Sequence, residues 1–181
     1  MQVFCLAAAR AEGYRSRMGQ DSRILGDPGT PLFSVDKYPF YQLNRVANRY
    51  NTLIESRLRE IGIDVSSWRV LMILGEVQPL SIGRIADKAV INLSTMMRII
   101  QRMRRDGLVV SARNPDDGRV TDVSLTPSGR DRLAQARETT APVYKELIAD
   151  FSEGDFDTLI ELLLRLNDNL TTVSPTEGRE S

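Results

Sequence analysis

The chain of 181 residues has no histidine and only one cysteine, Cys5. Without histidine, Ser-His-Asp triads, Cys-His pairs and HExxH zinc sites are excluded, and so is the usual general base near neutral pH. A single cysteine leaves neither an internal disulfide nor a Cys-rich metal site. No phosphate-cradling GxxxxGKS or GxGxxG pattern occurs. No apolar run approaches the roughly 18 residues of a membrane-spanning helix. An enzyme working through carboxylates alone stays open, yet no carboxylate pair stands out from ordinary solvated helix faces. No cofactor and no metal are expected.

Net charge is also missing: 24 basic residues balance 24 acidic ones. That argues against a nucleic-acid partner until the distribution is considered. Ser81 to Arg119 holds eight basic residues and four acidic ones, so this segment carries +4 and the remainder −4. Phosphate contact depends on local charge.

What is present begins with the segment Ser81–Thr126. In Ser81–Ala89, Ile82, Ile85 and Ala86 make one apolar stripe, and Ser81 can cap it. In the next helical pattern Leu93, Met96, Ile99, Ile100 and Met103 form the stripe expected to be buried. Asn92 or Ser94 suits its N-cap, and Gly107 its stop. The opposite face carries Thr95, Met97, Arg98, Gln101, Arg102 and Arg105. Small polar groups near base edges, followed by arginines near phosphates, suit a helix entering a major groove. Leu108–Arg113 and Val120–Leu125 then read as a hairpin, with Asn114–Arg119 at its tip. Leu80 can begin a short strand that pairs with this wing. Arg119 stands where a wing tip enters a minor groove. The order helix, turn, helix, hairpin is a winged helix-turn-helix.

These residues resemble the MarR family of bacterial transcriptional regulators. The resemblance rests on Trp68-Arg69-Val70-Leu71, Leu93-Ser94-Thr95-Met96-Met97-Arg98, Arg102-Met103, Gly107-Leu108-Val109, Asp117-Gly118-Arg119 and Leu125-Thr126-Pro127-Ser128-Gly129. It runs in order from about Tyr38 to Leu170, and the family usually carries Thr where Met97 stands. It implies that Asp117 braces an arginine and shapes the wing tip. It also implies a small aromatic or phenolic acid as effector, bound beside the helix that holds Trp68 and Arg69.

The expected fold is mainly α with a small β-wing: a winged helix-turn-helix core plus N- and C-terminal dimerisation helices. Residues 1–34 are expected to be an N-terminal extension, partly disordered or wrapping a partner subunit. Within it, Val3–Ala9 lacks the basic region of a secretory signal. Gln20–Pro31 reads as loose, Met18 is an alternative start, and Cys5 is a chemical bystander. Residues 35–62 and 127–170 are the helical dimerisation region, 63–126 the DNA-binding domain and 171–181 a flexible tail.

Lys37–Ile61 reads as one helix, with Phe40, Leu43, Val46, Ala47, Tyr50, Leu53, Ile54 and Ile61 at three- and four-residue steps. Its second stripe, Tyr41, Arg45 and Arg49, is either a solvated face or the wall of a ligand pocket. Asp64–Glu76 is the next helix. Thr126 and Pro127 open another, read as running through Arg130–Phe151 with a kink at Pro142. Ser152–Asp155 resembles a capping box. The last helix, Asp155–Leu170, is too apolar for the surface of a monomer.

The expected function is therefore a homodimeric, cytoplasmic DNA-binding regulator, a repressor released by a small ligand. Ser94, Thr95, Met97 and Arg98 would face bases, Arg102 and Arg105 would hold phosphates, and Arg119 would be the wing contact. Double-stranded DNA with an imperfect palindrome and a second copy of the chain are the partners. A winged-helix module that binds protein is the alternative, although it would not need arginines aligned on one helix face.

Overall fold

The computed structural model describes residues 21–173. Val3–Ala9, Cys5, Met18 and the tail after Val173 lie outside the described residues. The chain divides into two compact units, residues 1–56 and 57–181.

In the first unit, α1 (Ser22–Leu25) is a single turn. It is capped by Asp21, whose carboxylate accepts the Arg23 N–H at 2.8 Å. Asp27 accepts the Gly29 N–H at 2.8 Å, and the Ser34 N–H donates to the Leu25 carbonyl at 2.8 Å. The stretch expected to be loose is thus ordered over its described part by aspartate caps and backbone closure. Gly26 has a structural reason: a Cβ there would lie 2.6 Å from the Lys37 carbonyl oxygen. A 3-10 turn, Val35–Lys37, precedes α2 (Pro39–Glu60). The helix therefore starts two residues later than the apolar spacing suggests, with Pro39 supplying its fixed φ at the first position. Phe33, Tyr38 and Phe40 form two successive edge-to-face ring pairs, with centroids 5.7 and 5.5 Å apart. Leu43, Val46, Tyr50 and Leu53, read as one stripe, are exposed, whereas Ile54 is buried.

The second unit opens with the end of α2. Gly62 has φ +67°, its N–H donates to the Arg59 carbonyl, and the Ile63 N–H reaches back to the Leu58 carbonyl. This closure seats buried Leu58 and Ile63 at the helix end. α3 (Val65–Glu76) is capped by Asp64 and buries Val70, Leu71 and Leu74 completely. β1 (Leu80–Ser81) leads into α4 (Ile82–Ala89), and α5 is Leu93–Arg105. β2 (Val109–Arg113) and β3 (Thr121–Leu125) form the hairpin. The sheet order is β1-β3-β2, all antiparallel, with Leu80 opposite Val123 and Val109 opposite Leu125. The short strand anticipated at Leu80 is present. Met96, Met103, Ile85, Val109 and Val123 join the α3 residues in the buried core.

α6 is Pro127–Leu147 and α7 is Glu153–Thr172. Thr126 fixes the start of α6 by donating to the Gly107 carbonyl at 2.6 Å and accepting the Gly129 N–H at 2.9 Å. A Cβ on Gly129 would overlap the Leu108 carbonyl, so only glycine lets α6 start against the wing. α6 runs through Pro142 but stops at Leu147, where Ile148 closes onto the Tyr144 carbonyl, rather than continuing to Phe151. Ser152 and Asp155 make the reciprocal bonds of a capping box at the start of α7. Leu159, Ile160, Leu162, Leu163, Leu164 and Leu170 on that helix are all exposed. No helix among the described residues is long and apolar enough to cross a membrane. The architecture is a winged helix-turn-helix within a largely helical chain.

Candidate nucleic-acid interface

α5 presents the site because its other side is anchored. Met96, Ile99, Ile100 and Met103 are buried at 7% exposure or less. Leu93, expected in that stripe, is instead 54% exposed. It occupies the first helical position, where matching periodicity does not guarantee a neighbour to pack against. The N-cap is Asn92, whose side-chain Oδ1 accepts the Thr95 N–H at 2.9 Å and the Ser94 hydroxyl at 3.0 Å. At the other end Gly107, at φ +71°, closes the helix with its N–H on the Arg104 carbonyl and the Leu108 N–H on Met103.

Ser94, Met97 and Arg98 are exposed, while Thr95 is half-buried. The structure groups Arg98, Gln101, Arg104 and Arg105 around one open groove on this helix. Gln101 lies on the face already read from the sequence, whereas Arg104 was not among the residues expected to touch DNA. Its signal was the run Arg102-Met103-Arg104-Arg105, in which Met103 alone points inward.

Arg102 lies on the flank of α5 toward α3. Its Nη2 donates to Asp64 Oδ2 at 2.7 Å and to the Ser67 hydroxyl at 3.0 Å. Ser67, 7% exposed, in turn donates to Asp64 Oδ2 at 2.9 Å. Burial pushes the Asp64 carboxyl up. The Ser67 N–H and hydroxyl, the Arg102 charge and the Ser66 N–H outweigh this and hold it below the ordinary carboxylate value.

The wing tip is built by side-chain bonds to backbone. Asn114 Oδ1 accepts the N–H groups of Asp116 and Asp117 at 2.9 and 3.0 Å. Its amide donates to Asp122 at 2.7 Å. Asp117 accepts the Arg119 backbone N–H at 3.0 Å, which turns the chain and leaves Arg119 exposed at the tip.

The residues expected to meet a ligand fall in both units. Tyr41, Arg45 and Arg49 occupy an exposed face of α2 in the first. Trp68 and Arg69 are half-buried in the second. There they line a hollow of about 320 Å³ with Met72, Ile73, Lys88 and Ala89. The Trp68 Nε1 is buried and has no hydrogen-bond partner. Met72 follows Trp68 by one helical turn, as the spacing implies, but sequence reasoning missed Lys88 as a neighbour of Trp68, because the fold rather than chain spacing places it there. No cluster of metal-ligating residues occurs among the described residues.

Residues 61–120 match the family model for the MarR family. The HTH-type transcriptional repressor IacR of Pseudomonas putida is 37% identical over 147 residues, which cover 81% of this chain and 88% of that protein. The homoprotocatechuate degradative operon repressor of Escherichia coli is 30% identical over 96 residues, 53% of this chain and 65% of that protein. The crystal structure of a MarR family transcriptional regulator from Silicibacter pomeroyi superposes with a TM-score of 0.67 at 25% identity. That superposition covers 80% of this chain and 96% of the other.

Proposed function

Since the chain belongs to the MarR family of DNA-binding transcriptional regulators, we propose that it acts as a homodimeric repressor whose hold on its operator is loosened by a small anionic ligand. The observation that carries this reading is the exposed face of α5, where Ser94, Met97 and Arg98 stand exposed near its start and Arg104 and Arg105 line a basic groove further along; on this reading the first group faces bases and the second phosphates. Arg102 supports the same face from its flank, and Thr95 completes the base-facing end. Arg119 extends the contact from the wing tip, on a turn shaped by Asp117.

Dimerisation follows from the exposed apolar residues of α7 and α2, which a single chain leaves in water. Two copies related by a two-fold axis read half-sites about 34–36 Å apart, so the operator is an imperfect palindrome. The ligand reading rests on the hollow at Trp68. An apolar floor and the Arg69 and Lys88 cations suit an anion with a flat apolar body. An aromatic acid fits that chemistry. The E. coli relative is named for an operon that degrades homoprotocatechuate, itself an aromatic acid. Tyr41, Arg45 and Arg49, on the exposed face of α2, are separate candidates for ligand contact. To relieve repression, the ligand must bind the DNA-incompetent state more tightly than the competent one.

The test is a DNA-binding shift with the DNA flanking the chain's own gene, repeated at two salt concentrations and then with a panel of aromatic acids. Specific, salt-sensitive binding that an aromatic acid reverses is the expected result. Binding to neither this DNA nor random DNA at low salt overturns the reading in favour of a protein-interaction module.

A further inference from the structure

An apolar edge runs along the start of α5. Leu93 and Met97 stand four residues apart, hence on one face of the helix, and are 54% and 45% exposed. Val90, in the preceding turn, is 90% exposed and has a φ of +53°. A β-branched residue adopts that left-handed conformation only under strain. The turn closes through the Ile91 N–H on the Ala86 carbonyl at 3.0 Å, an arrangement that glycine makes freely. Valine there costs stability and buries nothing within the chain.

This edge is continuous with the basic face. Arg104 follows Met97 by seven residues, on the same flank, and shares its groove with Arg98, Gln101 and Arg105. An apolar surface bounded by arginines fits a polyanion that carries an apolar feature. The major groove offers one: the 5-methyl group of thymine. We infer that Leu93 and Met97, extended by Val90, read thymine methyl groups at the part of each half-site beneath the start of α5. The inference rests on the DNA-binding reading and adds the base that the site selects. Continuity with the arginines favours DNA over a protein partner as the occupant of this edge.

The experiment begins with the full chain enriching its binding sequence from random DNA. Each thymine of the enriched half-site is then replaced by deoxyuridine, which pairs identically but lacks the methyl group. At one or two positions the replacement is expected to weaken binding about fourfold per methyl removed. Met97→Ser should still bind but lose that discrimination, and Val90→Gly should weaken it while folding normally. Enrichment with no sensitivity to deoxyuridine overturns the inference and leaves the regulator reading standing. No enrichment of any sequence overturns both. A Met97→Ser protein that keeps its methyl discrimination but changes its oligomeric state assigns the edge to a protein contact and also overturns the inference.

Discussion

The Arg102 guanidinium reaches across 38 residues of sequence to Asp64, 2.7 Å away, and ties α5 to the start of α3. Ser67 closes the triangle, accepting from one partner and donating to the other. Asp64 thus has two tasks, capping α3 and holding the flank of α5.

Asp64→Asn keeps a capping oxygen but removes the charge. Both partners are close to half exposed, so the loss is expected to stay below about 1 kcal/mol. The pH dependence is the clearer signature. The folded carboxyl titrates below its unfolded value of about 3.9. Its stabilisation is therefore complete above that value and is lost as pH falls through the folded pKa. Denaturant titrations from pH 6 down to 2.5 should show a shallower acid limb in Asp64→Asn than in the wild type. Identical limbs would remove Asp64 from the account of acid stability.

Arg119→Ala is expected to weaken operator binding and to lower the salt slope by about one per subunit, hence about two for the dimer, the loss of one cationic contact at each half-site. Sedimentation should show an unchanged assembly. Full DNA affinity in the variant would take the wing out of the interface.

Gly129→Ala should destabilise the second unit by about 1–3 kcal/mol, because its new Cβ meets the Leu108 carbonyl, which is backbone and cannot swing aside. The comparison is Gly154→Ala, where a Cβ meets nothing within 4 Å. Thermal unfolding of the two variants should separate clearly, and equal melting temperatures would refute the close approach of α6 to the wing.

Leu163→Asp places a charge in the middle of the exposed apolar residues of α7. Dissociation to monomers with retained helicity is the expected result by sedimentation and circular dichroism. A dimer of undiminished strength would move the interface off this helix.

Local chemistry explains what could be read from the sequence. Asn92, Thr126 and Ser152 cap helices through atoms two or three residues away, so their short-range pattern is their structure. The hairpin and the α5 stripe follow from the same kind of near-neighbour rule. What was hidden depends on the fold. No spacing connects Asp64 with Arg102 or Trp68 with Lys88. Leu93 matched the apolar period and is nevertheless exposed, because period gives direction but not the presence of a neighbour. Val90 carries no glycine-like signal for the left-handed turn it adopts. The end of α6 at Leu147 was missed because the apolar residues continue beyond it while the backbone bonds there shorten to three-residue turns.

The bond from the Ser94 hydroxyl to Asn92 has a consequence for the bases that this serine can greet. A hydroxyl owns one proton, and here the cap holds it. On the DNA-binding reading proposed above, Ser94 then offers the groove lone pairs alone, and its complement is an exocyclic amine, the N4 of cytosine or the N6 of adenine, and not the acceptor edge of guanine. The serine that helps to start the helix is thereby left with half of its usual vocabulary.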